Sequence, residues 1–472
     1  MMNTTKARTD DGERDRRWGF GLILDETTRR CLPVPAAWIN DGLVLPNEVY
    51  CTVPESVPFL QRIFRAFRYR DFRIMWLGAC VSTIGTFVQQ FAQSWLVYDL
   101  TKDPFYLGLD LFLGQLPIML FSLFGGVFAD RLDRKKMLLA SQYIQMTCAF
   151  VLSILFGMHF FAGNPHHVWY ILALSFVVGV GQSFGGPAYS ALLPTLVGPE
   201  DLANAISMNS IQFNLARIIG PTLGGLAYTL FGATWCFALN GVSYVAVIVS
   251  LFVIKVKFTA PTTQVSVLKS MKEGMKFIKN REGLSALVVL AFCTTLFGFS
   301  LTGFLPVIVQ EIFHGGPGTY EVLLVFSGAG SICGALIVAA LEKLKGQGRL
   351  AVLTLFALGV ATAGFAFSKW LPLSCVLIFL AGTAVMASVS LMVSLVQLIT
   401  ADAMRGRVMS VYNLAFRAGI PLGALMLGKL IPLLGVSTAI AGFGTCLVGV
   451  AVYFLLVMRK TETFRRQIGS AV

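Results

Sequence analysis

The sequence predicts an all-α integral membrane protein of twelve transmembrane helices, built as two six-helix pseudo-repeats. Three observations carry this. Of 472 residues, 56% are hydrophobic and only 13% charged, against about 25% charged in an ordinary soluble domain. Twelve apolar runs recur along the chain, each with roughly the 20 residues that cross a ~30 Å hydrocarbon core. Ser210, Arg217 and Pro221 of the fifth run reappear at the same spacing as Ser410, Arg417 and Pro421 of the eleventh.

Residues 1–56 are polar and interrupted by Pro33, Pro35, Pro46 and Pro54. They read as a disordered or mis-assigned N-terminal extension. Asp10, Asp11, Glu13 and Asp15 lie among arginines with no apolar stretch behind them, which argues against a secretory signal peptide. Over 57–71, Phe59, Leu60, Ile63, Phe64 and Phe67 recur at helical spacing, with Arg62, Arg65, Arg68 and Arg70 between them. That is the pattern of an amphipathic helix lying at an anionic membrane interface.

Six apolar runs then fill an N-terminal half, 72–254: 72–98, 105–129, 137–161, 168–190, 202–231 and 233–254. A lysine-rich linker, 255–283, follows. The C-terminal half, 284–458, holds runs 284–310, 320–341, 350–368, 371–399, 408–434 and 436–458, and 459–472 forms a tail. Backbone groups in lipid must bond within their own segment, so runs of this length are helices.

Alternate gaps between the runs differ sharply in charge. One set holds Arg131, Arg134, Lys135 and Lys136, seven basic residues from Lys255 to Arg281, then Lys343, Lys345, Arg349, Arg405 and Arg407. The other holds only Lys102 and Lys369. Basic gaps stay in the cytoplasm, so both termini are expected there. The net charge of +13 is thereby explained by topology, and no clustered basic face suggests nucleic acid. The nine cysteines form no CxxC pair and read as packing residues. His159, His166, His167 and His314 all fall near span ends and suggest no metal site. No phosphate-binding Gly-x-x-x-x-Gly-Lys-Ser/Thr loop occurs, and no nucleophile, base and ligand set points to an enzyme. No cofactor is expected.

The gap after the second run reads Gly125-Gly126-Val-Phe-Ala-Asp130-Arg131-Leu-Asp133-Arg134-Lys135-Lys136. It resembles the signature between helices two and three of the major facilitator superfamily, with Asp133 where that pattern usually has Gly. The fifth run carries Arg217-Ile-Ile-Gly220-Pro221-Thr-Leu-Gly224-Gly225, similar to a Gly-Pro-x-x-Gly-Gly motif of exporters. Blocks starting at Trp95, Gly186 and Arg405 are similar to the drug:proton antiporter branch that contains macrolide exporters and the enterobactin exporter. The resemblance covers roughly residues 57–458. It implies the major facilitator fold, a bacterial inner-membrane location and efflux of a small amphiphilic molecule, with a monomer as the transporting unit. It also implies gating roles for Gly126, Asp130, Arg131, Arg134 and Lys135, with Asp402 as a partner across the halves, and for Gly220, Pro221, Gly224 and Gly225. Relatives of this type often carry a carboxylate in helix one, where this sequence has Thr86, so proton antiport through that helix is in doubt.

A charge at membrane depth costs at least ~2.5–3.5 kcal/mol, so each one needs a reason. Asp110 lies well inside the second run, and Arg217 and Arg417 lie mid-run. An Asp110–Arg217 contact is expected. It either braces two helices or makes Asp110 the proton-coupling group, with burial and the arginine pulling its proton affinity in opposite directions. Gln89, Gln90 and Gln93 in the first run, Asn209, Gln212 and Arg217 in the fifth, Gln397 in the tenth and Arg417 in the eleventh are the substrate-cavity candidates. Amides bind polar groups without the burden of charge, or bond helix to helix. The sequence therefore indicates a secondary active exporter of drugs, siderophores or metabolites, working by alternating access with lipid as its solvent and protons as a candidate coupling ion. Movement of lysophospholipid or another lipid-like solute stays open, as does a membrane sensor that transports nothing.

Overall fold

A computed structural model describes residues 64–162, 164–255, 267–341 and 346–460, with three short strands nearer the N-terminus. The chain divides into two units, 1–64 and 65–472. In the first, β1 (Asn3–Thr5), β2 (Phe20–Asp25) and β3 (Arg30–Pro35) pair antiparallel in the order β1-β2-β3. These strands lie within the segment read as an extension, 1–56, most of which is outside the described residues. Pro33 faces Leu22 and Pro35 faces Phe20, so both prolines sit in an edge strand, where a missing N–H is tolerated.

In the second unit the described secondary structure is helical. Its first half holds α1 (Arg70–Thr101), α2 (Pro104–Arg131), α3 (Arg134–Gly157), α4 (Val168–Leu192), α5 (Leu202–Phe231) and α6 (Ala233–Val253). The linker contains a helix, α7 (Val267–Lys279). The seventh span is broken: α8 (Glu282–Cys293), a π turn over Thr294–Gly298, one turn at Ser300–Gly303, then α9 (Leu305–Glu311). The rest are α10 (Pro317–Ala340), α11 (Gln347–Phe367), α12 (Leu371–Ile399), α13 (Asp402–Leu434) and α14 (Val436–Lys460). Among the described residues, eleven spans are long and apolar enough to cross a membrane. The twelfth long helix, α5, runs unbroken through Pro221 for 30 residues and carries Asn204, Asn209, Gln212, Asn214 and Arg217 along it.

Local chemistry sets the ends. Asp103 accepts from Phe105 N and caps α2, with Pro104 at its first position. Asp133 accepts from the amides of Lys135 and Lys136 and caps α3. A glycine at that position could not supply this bond.

Of the amphipathic helix expected over 57–71, only the end lies among the described residues. Residues 65–68 form a single 3-10 turn, and α1 already begins at Arg70; 57–63 lie outside the described residues. The arginines are drawn to carboxylates rather than left at an interface. Arg65 Nε lies 3.1 Å from Asp201 Oδ1, and Arg68 reaches both Asp201 and Glu200 at 2.9 Å. Ala66 N donates to Asn204 Oδ1, so the turn is fastened to the start of α5.

Within the N-terminal half, α1 packs on α5 and α6, α2 on α4, and α3 on α4 and α6. In the C-terminal half, α10 packs on α12, and α11 on α12 and α14. Two seams join the halves, α2 with α13 and α5 with α10. These are the second and fifth helices of each half facing the fifth and second of the other, so the pseudo-two-fold relation exchanges the seams. At the first seam the backbones nearly touch: a Cβ on Gly108 would stand 2.6 Å from Ala424 O and 3.1 Å from Gly428 Cα.

Candidate functional site

Beginning with α1, successive turns carry Thr86, Gln89 and Gln93 on the side facing α2, α4 and α6. Gln93 Nε2 donates to both oxygens of Asp110, at 3.0 and 2.9 Å, and lies 2.8 Å from Ser175 Oγ. Ser175 Oγ donates to Asp110 Oδ1 at 2.5 Å. Gln89 bonds Gln93 at 3.3 Å and accepts from Asn240 Nδ2 at 2.7 Å, and Ser243 donates to Asn240. One turn away, Tyr244 meets Thr86 at 3.4 Å and Gln145 at 3.3 Å, and Gln182 donates to Gln145. The buried carboxylate of Asp110 is thus the terminus of an amide and hydroxyl chain running through the N-terminal half.

This overturns the expected Asp110–Arg217 contact. All the donors to Asp110 are neutral, and among the described residues no ion pair forms at Asp110. The physical reason is helix phase. Asp110 is two residues, about 200° at 3.6 residues per turn, from Gly108, whose face meets α13. Asp110 therefore points into its own bundle.

The described hydrogen bonds between residues of the two halves lie at the end opposite the basic gaps, hereafter the far end. Tyr98 OH donates to Glu311 Oε1 at 2.5 Å, and Lys102 Nζ bridges Asp99 at 2.6 Å and Gln310 Oε1 at 2.9 Å. Phe91 and Trp95 stack on Tyr320, with centroids 4.7 and 6.0 Å apart. These contacts join the two halves at the far end.

At the basic end the described pairs stay local. Arg134 Nη1 donates to Ala191 O at 3.0 Å, and Lys135 Nζ to Ile254 O at 3.2 Å. Both carbonyls lie at helix C-termini, where free acceptors and the dipole favour cations. Asp402 pairs with Arg405 three residues on, and Arg407 pairs with Glu273 of α7 at 2.9 Å. Among the described contacts, Arg134 and Lys135 meet carbonyls of their own half, and Asp402 meets Arg405 of its own helix. The side chains of Asp130 and Arg131 lie outside the described residues.

The motif glycines divide by face. Gly125 abuts Ser183 O of α4, whereas Gly126 has open space where a Cβ would stand, so the close approach belongs to the neighbour of the predicted residue. Gly220 and Gly224 meet Phe87 and Phe91 of α1, and Gly225 meets Glu321 of α10. Pro221 is buried beside them.

Among the cavity candidates, Gln89 and Gln93 join the network. Gln212 donates to Thr83 Oγ1 at 2.9 Å, and Asn209 accepts from Tyr189 OH at 2.8 Å. Gln90 and Gln397 are exposed, the latter in the last turns of α12, and neither joins the network. Arg217 is half-buried and lines a small cavity with Phe299, Thr302, Ser327, Gly382 and Val385. Arg417 is exposed. Sequence reasoning missed Ser175, Asn240 and Tyr244, each a lone polar residue in an apolar run, and Glu321, whose position near a span end hides its place at the α5–α10 seam.

Residues 62–468 match the family described as transmembrane secretion effector. Macrolide efflux protein A of Streptococcus pyogenes is 23% identical over 81% of this chain and 94% of its own length. The staphyloferrin A transporter of Staphylococcus aureus is 23% identical over 80% and 94%. The enterobactin exporter of Escherichia coli is 25% identical over 84% and 93%. Among solved structures, an inward-facing, occupied bacterial homologue of the human lysosomal transporter Spinster gives a TM-score of 0.66 at 12% identity, covering 85% of this chain and 98% of its own. A D-xylose–proton symporter gives 0.63 at 14% identity, over 83% and 98%. These two show the fold.

Proposed function

The chain belongs to the transmembrane secretion effector family, within the major facilitator superfamily of transporters and not enzymes, and we propose that it exports small amphiphilic molecules by alternating access. The carrying observation is the asymmetry between the two ends. Tyr98–Glu311, Lys102–Gln310 and the Tyr320 stack join the halves at the far end, while the described basic-end pairs stay local. If the basic gaps face the cytoplasm, as their charge directs, this is the state that loads cargo from inside. Relatives named for macrolide efflux, staphyloferrin A transport and enterobactin export support outward movement of a small organic cargo.

In this reading the halves rock about the α2–α13 and α5–α10 seams. Far-end bonds break as the basic ends meet, and the Asp130 carboxylate then faces the free amides that open α13, a charge-assisted contact. Asp110 is the coupling group. Its donors are neutral, so no fixed cation holds it ionised, and Gln93 and Ser175 can turn to serve either protonation state. The test is dye accumulation in cells with and without the protein, using a panel of amphiphilic dyes. Lower accumulation that an uncoupler abolishes is expected for at least one dye. Equal accumulation across the panel, with normal membrane levels of protein, contradicts export.

A further inference from the structure

We infer that Arg217 and Arg417 form a paired anion grip, so that the cargo is an amphiphile bearing carboxylate or comparable oxyanion groups rather than a cation. This deepens the export reading above and rests on it.

Neither guanidinium has an ion-pair or hydrogen-bond partner among the described residues, although both lie mid-helix in helices of 30 or more residues. Several other described arginines and lysines do have carboxylate partners: Arg65 and Arg68 take Asp201, Arg407 takes Glu273, and Lys102 takes Asp99. A cation at membrane depth with no counter-charge is expensive and marks a function.

Placement makes the two arginines a pair. Arg217 lies on α5 at its seam with α10. Its cavity is walled by Ser327 of α10, Gly382 of α12 and Phe299 beside the π turn, and Gly328 of α10 packs against Ile218 and the Arg217 carbonyl. Arg417 lies on α13. It precedes Ala424 by seven residues and Gly428 by eleven, which puts all three on one helix face. Ala424 and Gly428 touch Gly108 of α2, so Arg417 sits on the face turned toward the N-terminal half, on the basic side of that contact. The pseudo-two-fold relation exchanges these seams and with them the two arginines. Phe299 at the Arg217 cavity packs edge-on to Phe416, next to Arg417, with centroids 5.9 Å apart. Two cations and an aromatic wall suit a cargo with anionic groups on an apolar body. Planar guanidinium groups bind carboxylates through paired hydrogen bonds.

The test uses two xanthene dyes of similar size, fluorescein as the anion and rhodamine 123 as the cation. Binding to the purified full chain is read by fluorescence anisotropy, and export by vesicles containing it. Tighter binding of fluorescein is expected, weakened roughly tenfold in Arg217→Gln or Arg417→Gln and partly kept in the Lys variants. Removing an unpaired charge strands no partner, so the Gln variants should fold; their melting temperatures check this. If either Gln variant fails to fold, the Lys variant carries the test, and unchanged affinity and salt dependence there overturns the grip. Equal or tighter rhodamine binding, no fluorescein binding, or fluorescein binding indifferent to both Gln changes also overturns it. Arginine-dependent fluorescein binding without any dye export keeps the grip and contradicts the export reading instead.

Discussion

The two halves share one pattern, Ser-x6-Arg-x3-Pro in the fifth helix of each, yet their interiors are built differently. The N-terminal half buries a carboxylate and a chain of amides that bond one another across α1, α2, α4 and α6. The C-terminal half buries hydroxyls that mostly fold back on their own helices: Thr294 on Leu290 O, Thr295 on Ala291 O, Ser300 on Leu296 O and Ser331 on Ser327 O. It also holds the π turn, against which Gly419 and Gly423 of α13 pack at backbone contact. The difference assigns different work to each half. A connected polar chain can hold a proton and rearrange around it, whereas hydroxyls satisfied locally leave helices free to slide. A π turn is a common site for such adjustment.

The largest expected effect falls on the packing of the C-terminal half. A side chain at Gly423 would run into Leu296 O and Ser300 Oγ, and a backbone carbonyl cannot step aside. Gly423→Val should cost at least about 1–3 kcal/mol and strongly deplete the protein from the membrane. Normal levels and melting would show that the π-turn contact is loose. Next comes Gln89→Leu, which strands Asn240 Nδ2 and frees Gln93. Its expected loss is about 1–3 kcal/mol, measured by thermal unfolding in detergent. In the C-terminal half Ser300→Ala removes only a bond to its own helix and should lose under about 1 kcal/mol. Equal losses from these two changes would erase the distinction between the halves.

Asp130→Asn should slow substrate cycling several-fold at normal membrane level, because a neutral amide makes the weaker bond to helix-end amides. Unchanged cycling would leave the motif as a topology signal only. The smallest effect is expected at Gly126→Ala, where nothing lies within reach of a new Cβ; stability and transport should both stay as they are.

How much of this was readable beforehand follows from what a sequence encodes. Apolar runs and basic gaps depend on composition, so the spans, the six-plus-six division and the Asp110 and Arg217 outliers are all visible in the chain. The partners are not. Helix phase tells which residues of α2 share a face, but not how that face is rotated against α5, so the nearest opposite charge, Arg217, looked like the partner of Asp110. Ser175 and Asn240 resemble any other lone polar residue in an apolar run. Nothing in Thr294–Gly298 distinguishes a π turn from regular helix. Asp133 shows the reverse case: what reads as a departure from a motif is a helix cap.

The proposed coupling of transport to protons runs through Asp110 and the buried network of the N-terminal half. It is tested most directly in vesicles carrying the wild-type chain or Asp110→Asn, by following efflux of a transported dye with and without an imposed pH gradient. The account predicts that wild type accelerates roughly tenfold or more under the gradient, while the mutant, present at equal level, equilibrates dye downhill at a rate indifferent to pH. A mutant that keeps the full response to the gradient would contradict it.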